Sequence, residues 1–399
     1  MILEFGGTIR TSILIGHFLM SKSYCQRKTR NNHTLRTWPT GSSAKGKSIV
    51  KNGKTKGKIL VTGAGGYIGT TLVPMLLEQG YQVRALDRYF FGRDLLQSHD
   101  HLEILQEDAR LVKPDHMQDV DYVIDLVAIS NDPSGEYFQE ETLAINCNAR
   151  VATAQLAKAA GVKRYILPSS CSIYGFQAPE VIADETTKTN PLTTYAKANE
   201  MAEQAILPLA SNDFTCVVLR QATVYGFSPR MRFDLAINGM TYGAWKSGVL
   251  PLMRDGTQWR PMVHVKDTAR AQMFMLTIDS HRINGQIFNV GSDENNYQLG
   301  PLAKKVAAEV TKVTSRDVRI DWYGVPDHRS YRISFDKIYS LGYKALYRAE
   351  DGVVDICQAL EAGKIDRTTN TITLDWYREL TAWHARIRNI EMYGGVLKI

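Results

Sequence analysis

The sequence predicts an α/β fold: a doubly wound parallel sheet covered on both faces by helices, with a smaller, interleaved C-terminal domain. Three observations point there. Apolar runs of strand length alternate with helical segments long enough to act as crossovers, the pattern of parallel strands buried on both faces. The first run, residues 59–61, leads into Thr62-Gly63-Ala64-Gly65-Gly66-Tyr67-Ile68-Gly69, a glycine-rich turn that opens into helical spacing. The second run ends in an acid, Asp87.

Each element follows in order. The chain turns at Gly63, where φ is free, and Gly65 or Gly66 together with Gly69 lets the backbone approach a pyrophosphate over the next helix N-terminus. Such a turn is a dinucleotide cradle. The same letters suit a plain glycine-rich turn, but the strand before, the helix after and Asp87 favour the cradle. Residues 70–79 form the helix, with Pro74 inside it and Gly80 closing it. Residues 82–87 are the second strand, and Asp87 at its end can accept both hydroxyls of an adenine ribose. That favours NAD; the adjacent Arg88 leaves NADP open, and an ordinary turn aspartate is the alternative. Residues 102–106 and 120–128 are the third and fourth strands, and Asn131-Asp132-Pro133 opens a loop. Helical spacing over 140–160 puts Leu143, Cys147, Val151, Ala154 and Ala157 on an inward stripe that Gly161 ends, before a fifth strand over 162–169.

Chemistry in such a sheet gathers outside the carboxyl ends of the strands. The fifth strand ends in Pro168-Ser169-Ser170-Cys171-Ser172, and Tyr195 follows in the first turns of a helix that Pro191 and the threonines introduce. Hydroxyls and a phenol beside a nicotinamide pocket imply hydride transfer, with the phenol moving the proton.

Composition sets the frame. With 399 residues, 44% of them hydrophobic, the chain can bury a large core or two smaller ones. Residues 1–57 hold eleven Lys or Arg against Glu4 alone, so of the formal +7 that segment carries +10 and the remainder −3. The slightly acidic body gives no reason to invoke nucleic acid. The basic, hydroxyl-rich front is expected to be disordered; it reads either as an organelle-targeting peptide or as an over-long gene start, with initiation at Met20 or beyond. Its apolar patch, 13–20, is too short to span a bilayer, so no membrane is expected and a cytoplasmic place is. Five scattered cysteines without Cys-x-x-Cys spacing imply a reducing compartment and no metal site.

Over residues 58–345 the chain resembles the extended short-chain dehydrogenase/reductase family, in the NAD-dependent epimerase/dehydratase group acting on nucleotide sugars. The turn at 62–69 is similar to the family's Thr-Gly-x-x-Gly-x-x-Gly loop, and 195–199 to its Tyr-x-x-x-Lys motif. The resemblance implies NAD as cofactor, held by the glycine loop with Tyr67 and Ile68, by Asp87, Asp108 and Ala109 at the adenosine, and by Leu126 and Ala128 beside the phosphates. Asn146 would support the site from a helix. Ser170 and Tyr195 would be the catalytic pair. On the substrate side it implies Thr223 before Val-Tyr-Gly, Asn238 and Arg260 at the diphosphate, and Arg329 or Arg332 as a nucleotide clamp, the alternative for that loop being a solvated charge run. It also divides the chain into a Rossmann part, 58–225, and a mostly substrate-binding part, 226–399, with segments returning to the sheet near 258–291.

The departures shape the expected reaction. Asn199 stands where the family has its lysine, and Lys197, two residues from Tyr195, points elsewhere. Asn199 can still hold ribose hydroxyls but lacks a charge worth about 2–3 kcal/mol to a phenolate ~6 Å away, so Tyr195 is expected to lean on the oxidised nicotinamide's charge. Cys171 and Ser172 replace the Asp-Glu pair of the 4,6-dehydratases, which disfavours water elimination. The expectation is a nucleotide-sugar epimerase that oxidises a hydroxyl, at C4, to a transient ketone. A 4-ketoreductase, a dehydratase and a catalytically weak NAD-binding sensor are the alternatives. A nucleotide-diphosphate sugar and a second copy of the chain are the expected partners. Further on, 233–246 reads as a helix, 248–256 as a turn-rich loop, Met273, Met275 and Leu276 as core rather than substrate box, His264 as structural, and 376–390 as an amphipathic helix on the body or a second subunit.

Overall fold

The computed structural model describes residues 55–178, 180–325 and 330–390. The basic front segment, apart from residues 55–57, and Arg329 lie outside the described residues. In chain order the strands are β1 (Lys58–Thr62), β2 (Gln82–Asp87), β3 (Leu102–Gln106), β4 (Tyr122–Asp125), β5 (Arg164–Ser170), β6 (Ile182–Ala183), β7 (Thr215–Gln221), β8 (Thr223–Tyr225), β9 (Val249–Met253), β10 (Trp259–His264), β11 (Gln286–Val290), β12 (Asn296–Gln298), β13 (Arg319–Tyr323) and β14 (Arg332–Ile333). Seven of them form one sheet in the order β11-β7-β5-β4-β1-β2-β3, with every pairing parallel. The chain runs outward from β1 to β3 and then returns to β4 on the other side of β1, so the strand order reverses between β1 and β4. Carboxyl ends diverge at such a point and leave a crevice.

The central strands are buried along nearly their whole length because helices cover both faces, which is why their sequences read as continuous apolar runs. The fourth run is longer than its strand. Only Tyr122–Asp125 pairs in the sheet, and residues 126–128 leave it to wall the crevice. The predicted helix over 140–160 is three pieces: Gln139–Leu143, a π turn at Ala144–Ala149, and Arg150–Ala159. The wider turn rotates the inward face. Leu143 is therefore exposed, while Asn146 and Arg150 point into the protein.

Around this sheet lies a second core, built by the helices Ala236–Ser247, Leu299–Thr314 and Ala349–Glu361 against β9. Residues 248–256, read from sequence as a loop, contain β9, which pairs in parallel with β13 from Val249 opposite Arg319 to Met253 opposite Tyr323. Gly248, Pro251 and Gly256 look like loop punctuation, and the partner strand lies seventy residues away in sequence, so local pattern carried no trace of the pairing. Near 258–291 only β11 joins the large sheet; β10 pairs with β8 and β12 in a small one. Met275 and Leu276 are buried and Met273 packs on the same cluster, so this stripe is core.

His264 closes β10 and is fully buried. Its Nδ1 accepts the Lys266 N–H at 3.2 Å, and its ring stacks on Tyr347 at 4.6 Å. Burial, reinforced by the Lys266 charge, pushes its pKa down to about 3. The folded protein holds this imidazole neutral, whereas the unfolded chain protonates it near 6.5. Stability from this group is therefore complete above about pH 6.5 and falls by roughly 1.4 kcal/mol per pH unit as the medium is acidified toward 3. Urea melts at pH 7 and pH 5 are expected to show a smaller drop in His264→Gln than in the wild type; equal drops would place the acid sensitivity elsewhere.

Candidate active site

A cleft of about 1130 Å³ opens above the β1/β4 crevice and runs to the small sheet. The glycine loop forms one end. Gly63 has φ +66°, and a Cβ there would sit 2.7 Å from the Leu126 carbonyl carbon; at Gly69 it would lie 2.5 Å from the Ala64 oxygen. Both are backbone atoms that cannot yield, so the loop requires glycine at these positions. Gly63, Gly66, Tyr67, Ile68 and Gly69 line the cleft. Gly65 does not; its N–H donates to Asp87 Oδ2 at 3.0 Å and ties the loop to β2. Asp87 Oδ1 accepts the Tyr89 N–H at 2.7 Å. Burial holds the Asp87 carboxyl above its usual pKa despite those two donors, and each oxygen keeps acceptor capacity toward the cleft.

Beside it, Asp108 binds Arg110 at 2.6 Å and Arg88 at 3.1 Å, and the Arg110 hydrogen bond is the main reason its pKa is held down at about 2. Arg88 is thereby tied to Asp108. Ala109, Leu126 and Ala128 wall the cleft as expected. Asn146 does not line it. It lies fully buried, accepting the Ile129 N–H at 2.8 Å and donating to the Ile129 carbonyl at 3.0 Å, so it fixes the wall from behind.

At the centre, Ser170 ends β5 with its hydroxyl accepting the Ser172 N–H at 3.1 Å. Tyr195 lies in the first turn of the helix Thr194–Ile206, whose cap Thr193 accepts the Ala196 N–H and donates to Asp132 at 2.7 Å. Gly135, in the short helix Asp132–Tyr137, lets that helix approach the one carrying Tyr195, since a Cβ on it would lie 3.0 Å from the Tyr195 Cβ. Burial raises the Tyr195 pKa; the neighbouring Ser170 hydroxyl is the largest opposing influence, followed among the cations by Arg150 and Arg232, while Asp132 raises it further. Ser170 and Tyr195 thus meet on one wall.

Asn199 is a correction. Its Oδ1 accepts from Arg150 Nη1 at 3.0 Å and its Nδ2 donates to the Tyr195 carbonyl at 2.9 Å, so it faces the interior and does not line the cleft. Asn238 is another. Its amide serves the Gly226 N–H, the Tyr67 hydroxyl and the Arg232 carbonyl, which consumes it as a structural clamp. Thr223 and Arg260 do line the cleft, Arg260 over the Tyr331 ring at 5.6 Å.

Sequence reasoning missed a cationic wall. Arg232 grips Asp234 with both arms of its fork, and against the burial that raises it Arg232 holds the Asp234 carboxyl at about 2. Arg230 stacks on Phe91 at 3.7 Å and donates Nη2 to Thr373, while its Nε and Nη1 have no hydrogen-bond partner. Burial, then the neighbouring Arg232, pushes its pKa down to about 10. The Arg230-x-Arg232-x-Asp234 alternation was the available signal. The amphipathic helix expected over 376–390, on the body or on a second subunit, is the helix Thr373–Ile390. Its first half roofs the cleft: Tyr377 meets Phe90, Phe91 and Phe138 at 5.8–6.3 Å, and Trp376 donates to the Phe90 carbonyl at 2.7 Å. Its last turns are exposed.

These features fit a dinucleotide: a cradle that any Cβ would fill, an acceptor carboxylate at the end of β2, and a buried guanidinium with unused donors for an anion. No group of His, Cys, Asp and Glu among the described residues could hold a metal ion, and no described helix is long and apolar enough to cross a membrane.

Comparison with known proteins agrees with this geometry. The model of the NAD dependent epimerase/dehydratase family matches residues 59–291. A putative UDP-arabinose 4-epimerase 2 of Arabidopsis thaliana is 28% identical over 296 residues, covering 66% of this chain and 69% of that protein. A UDP-glucuronate 4-epimerase of Thermodesulfobacterium geofontis is 26% identical over 291 residues, covering 67% and 87%. Among solved structures, the UDP-glucuronic acid 4-epimerase of Bacillus cereus, in complex with UDP-glucuronic acid and NAD, superposes with a TM-score of 0.68 at 22% identity, over 76% of this chain and 99% of that one.

Proposed function

Because the chain belongs to the NAD dependent epimerase/dehydratase family, we propose that it inverts C4 of a nucleoside-diphosphate sugar, with a UDP-sugar as the first candidate. The observation that carries this reading is the meeting of Ser170 and Tyr195 in the same cleft whose far end is the glycine cradle and Asp87. The glycine loop, Asp87 and the Arg230 side chain would hold NAD, which when bound accepts a hydride from the sugar carbon and returns it. Tyr195 takes the proton from the sugar hydroxyl and gives it back, and Ser170 steadies that oxygen by a hydrogen bond. Arg260, at the end of the cleft toward the small sheet, suits the two adjacent phosphates of the substrate.

Water elimination needs an acid and a base next to Ser170. Cys171 and Ser172 stand there, and burial pushes the Cys171 thiol far above its usual pKa. Net epimerisation or reduction is left, and the 4-epimerase relatives favour inversion. We place the enzyme in the cytoplasm, in keeping with four unpaired cysteines among the described residues, and expect it to act as a homodimer.

Purified protein incubated with UDP-, dTDP-, GDP- and CDP-sugars tests the proposal by NMR of the sugar protons. A C4 epimer should appear with at least one of them; bound NAD without turnover on any sugar overturns the assignment and leaves an NAD-binding sensor. The helical roof has its own consequence. Tyr377→Ala removes aromatic contacts worth about 1–2 kcal/mol, so NADH should leave about 5–30 times faster. Stopped-flow fluorescence of released NADH reads that rate, and an unchanged rate would make the helix a bystander.

A further inference from the structure

Asn199 leaves Tyr195 without the ammonium expected four residues along its helix, yet a cation does reach that place. Arg150, on the facing helix Arg150–Ala159, is 99% buried and extends its guanidinium under the carboxyl ends of β4 and β5. Nη1 donates to Asn199 Oδ1 at 3.0 Å, and Nη2 donates to the Asp125 carbonyl at 2.9 Å and to the Pro168 carbonyl. Asn199 in turn holds the Tyr195 carbonyl at 2.9 Å. A lysine at 199 and an arginine at 150 would put two like charges in one buried space, so the two residues form an alternative set: a neutral amide on the tyrosine's helix and the charge on its neighbour.

We infer that Arg150 is the positioning residue that supplies, across Asn199, the positive charge a phenolate at Tyr195 needs. This rests on the reading of Tyr195 as the proton-transfer group. The other groups bearing on the pair are few. Asp132, at the start of the helix Asp132–Tyr137, Ser170, at the end of β5, and Arg232 also bear on Tyr195. Arg150 itself is near Asp125, with its Nε 3.9 Å from Oδ2, and near Cys147. The Asp125 carboxylate, whose oxygens also accept from the hydroxyls of Thr62 and Tyr165, offsets part of the guanidinium charge, and a titration of Tyr195 reads what remains at the tyrosine. The rival role for Arg150 is a pin that only ties β4, β5 and the two helices together.

A titration separates the two. Protein labelled with [13Cζ]tyrosine, its Tyr195 resonance assigned by Tyr195→Phe, is titrated without substrate, and the pH profile of turnover is measured on the same variants. Arg150→Met should move the Tyr195 midpoint upward by about one unit or more and carry the rising limb of the rate profile with it. Arg150→Lys should keep most of the wild-type midpoint. Arg150→Met/Asn199→Lys, which puts an ammonium into the vacated space, should bring the midpoint back. Should Arg150→Met fail to fold, the double variant decides: a midpoint near that of the wild type supports the charge, and a midpoint displaced upward overturns it. An Arg150→Met protein that loses rate evenly at all pH values with an unmoved midpoint also overturns it, leaving only the pin. Since the resonance titrates without substrate, a wild type that turns over no sugar would sink the functional proposal while leaving this inference open to the same measurement.

Discussion

Tyr195→Phe is expected to lower turnover by about 10²–10⁴-fold, the span general acid–base groups contribute, while the protein still folds and still retains NAD. The phenol lines the cleft beside Ser170, whose oxygen accepts the Ser172 N–H, while burial pushes the neighbouring Cys171 thiol far up, so the phenol is the group assigned to take the sugar proton. Tyr195 approaches Gly135 through its Cβ and backbone, contacts that phenylalanine keeps. Binding and stability should therefore change little, which separates this variant from a merely unfolded one. A rate within tenfold of the wild type, with substrate bound as before, would remove Tyr195 from the chemistry.

Glu203→Gln is expected to be the most damaging conservative change to stability, by about 3–5 kcal/mol, because it leaves a buried guanidinium without its counter-charge. Glu203 and Arg220 face each other between the helix Thr194–Ile206 and β7, with Nη2 to Oε2 at 2.7 Å and Nε to the same carboxylate at 3.1 Å. The carboxylate also takes the Ser169 hydroxyl, and Arg220 donates to the Tyr174 hydroxyl at 3.0 Å. The pair thus anchors the helix that carries Tyr195 to β7, and the Ser169 hydroxyl ties the same carboxylate to β5, which ends in Ser170. Urea denaturation of the two proteins reads the loss; a difference under 1 kcal/mol would mean that solvent reaches the site after all.

Much of this was legible in sequence wherever the signal is local. The glycine loop and the acid ending β2 follow from short spacings with a physical reason, the hydroxyl cluster after the fifth strand and Tyr195 from their place at the sheet's carboxyl edge, with Ser170 singled out by the family resemblance, and β2 and β3 fall on the residues their apolar runs mark. What sequence could not carry are pairings made across the fold. β9 is a strand only because β13 lies beside it. Asn238 offers a polar amide that suits a phosphate as well as it suits Tyr67 and Gly226, and only packing decides. Asn199 is read as a lost lysine until Arg150 is seen against it, and the π turn that swings Arg150 inward shifts the helical register that sequence periodicity assumes. The roof over the cleft joins residues 90 and 376, far apart in the chain.

The central claim is that hydrogen leaves the sugar carbon as hydride and returns to that same carbon. A nucleotide sugar deuterated at C4, turned over in ordinary water with its product followed by NMR, tests it most directly. The account predicts that the inverted product keeps its deuterium at C4. Replacement of that label by a solvent proton would mean inversion by proton exchange, and the chemistry assigned to Tyr195 and the glycine cradle would be wrong.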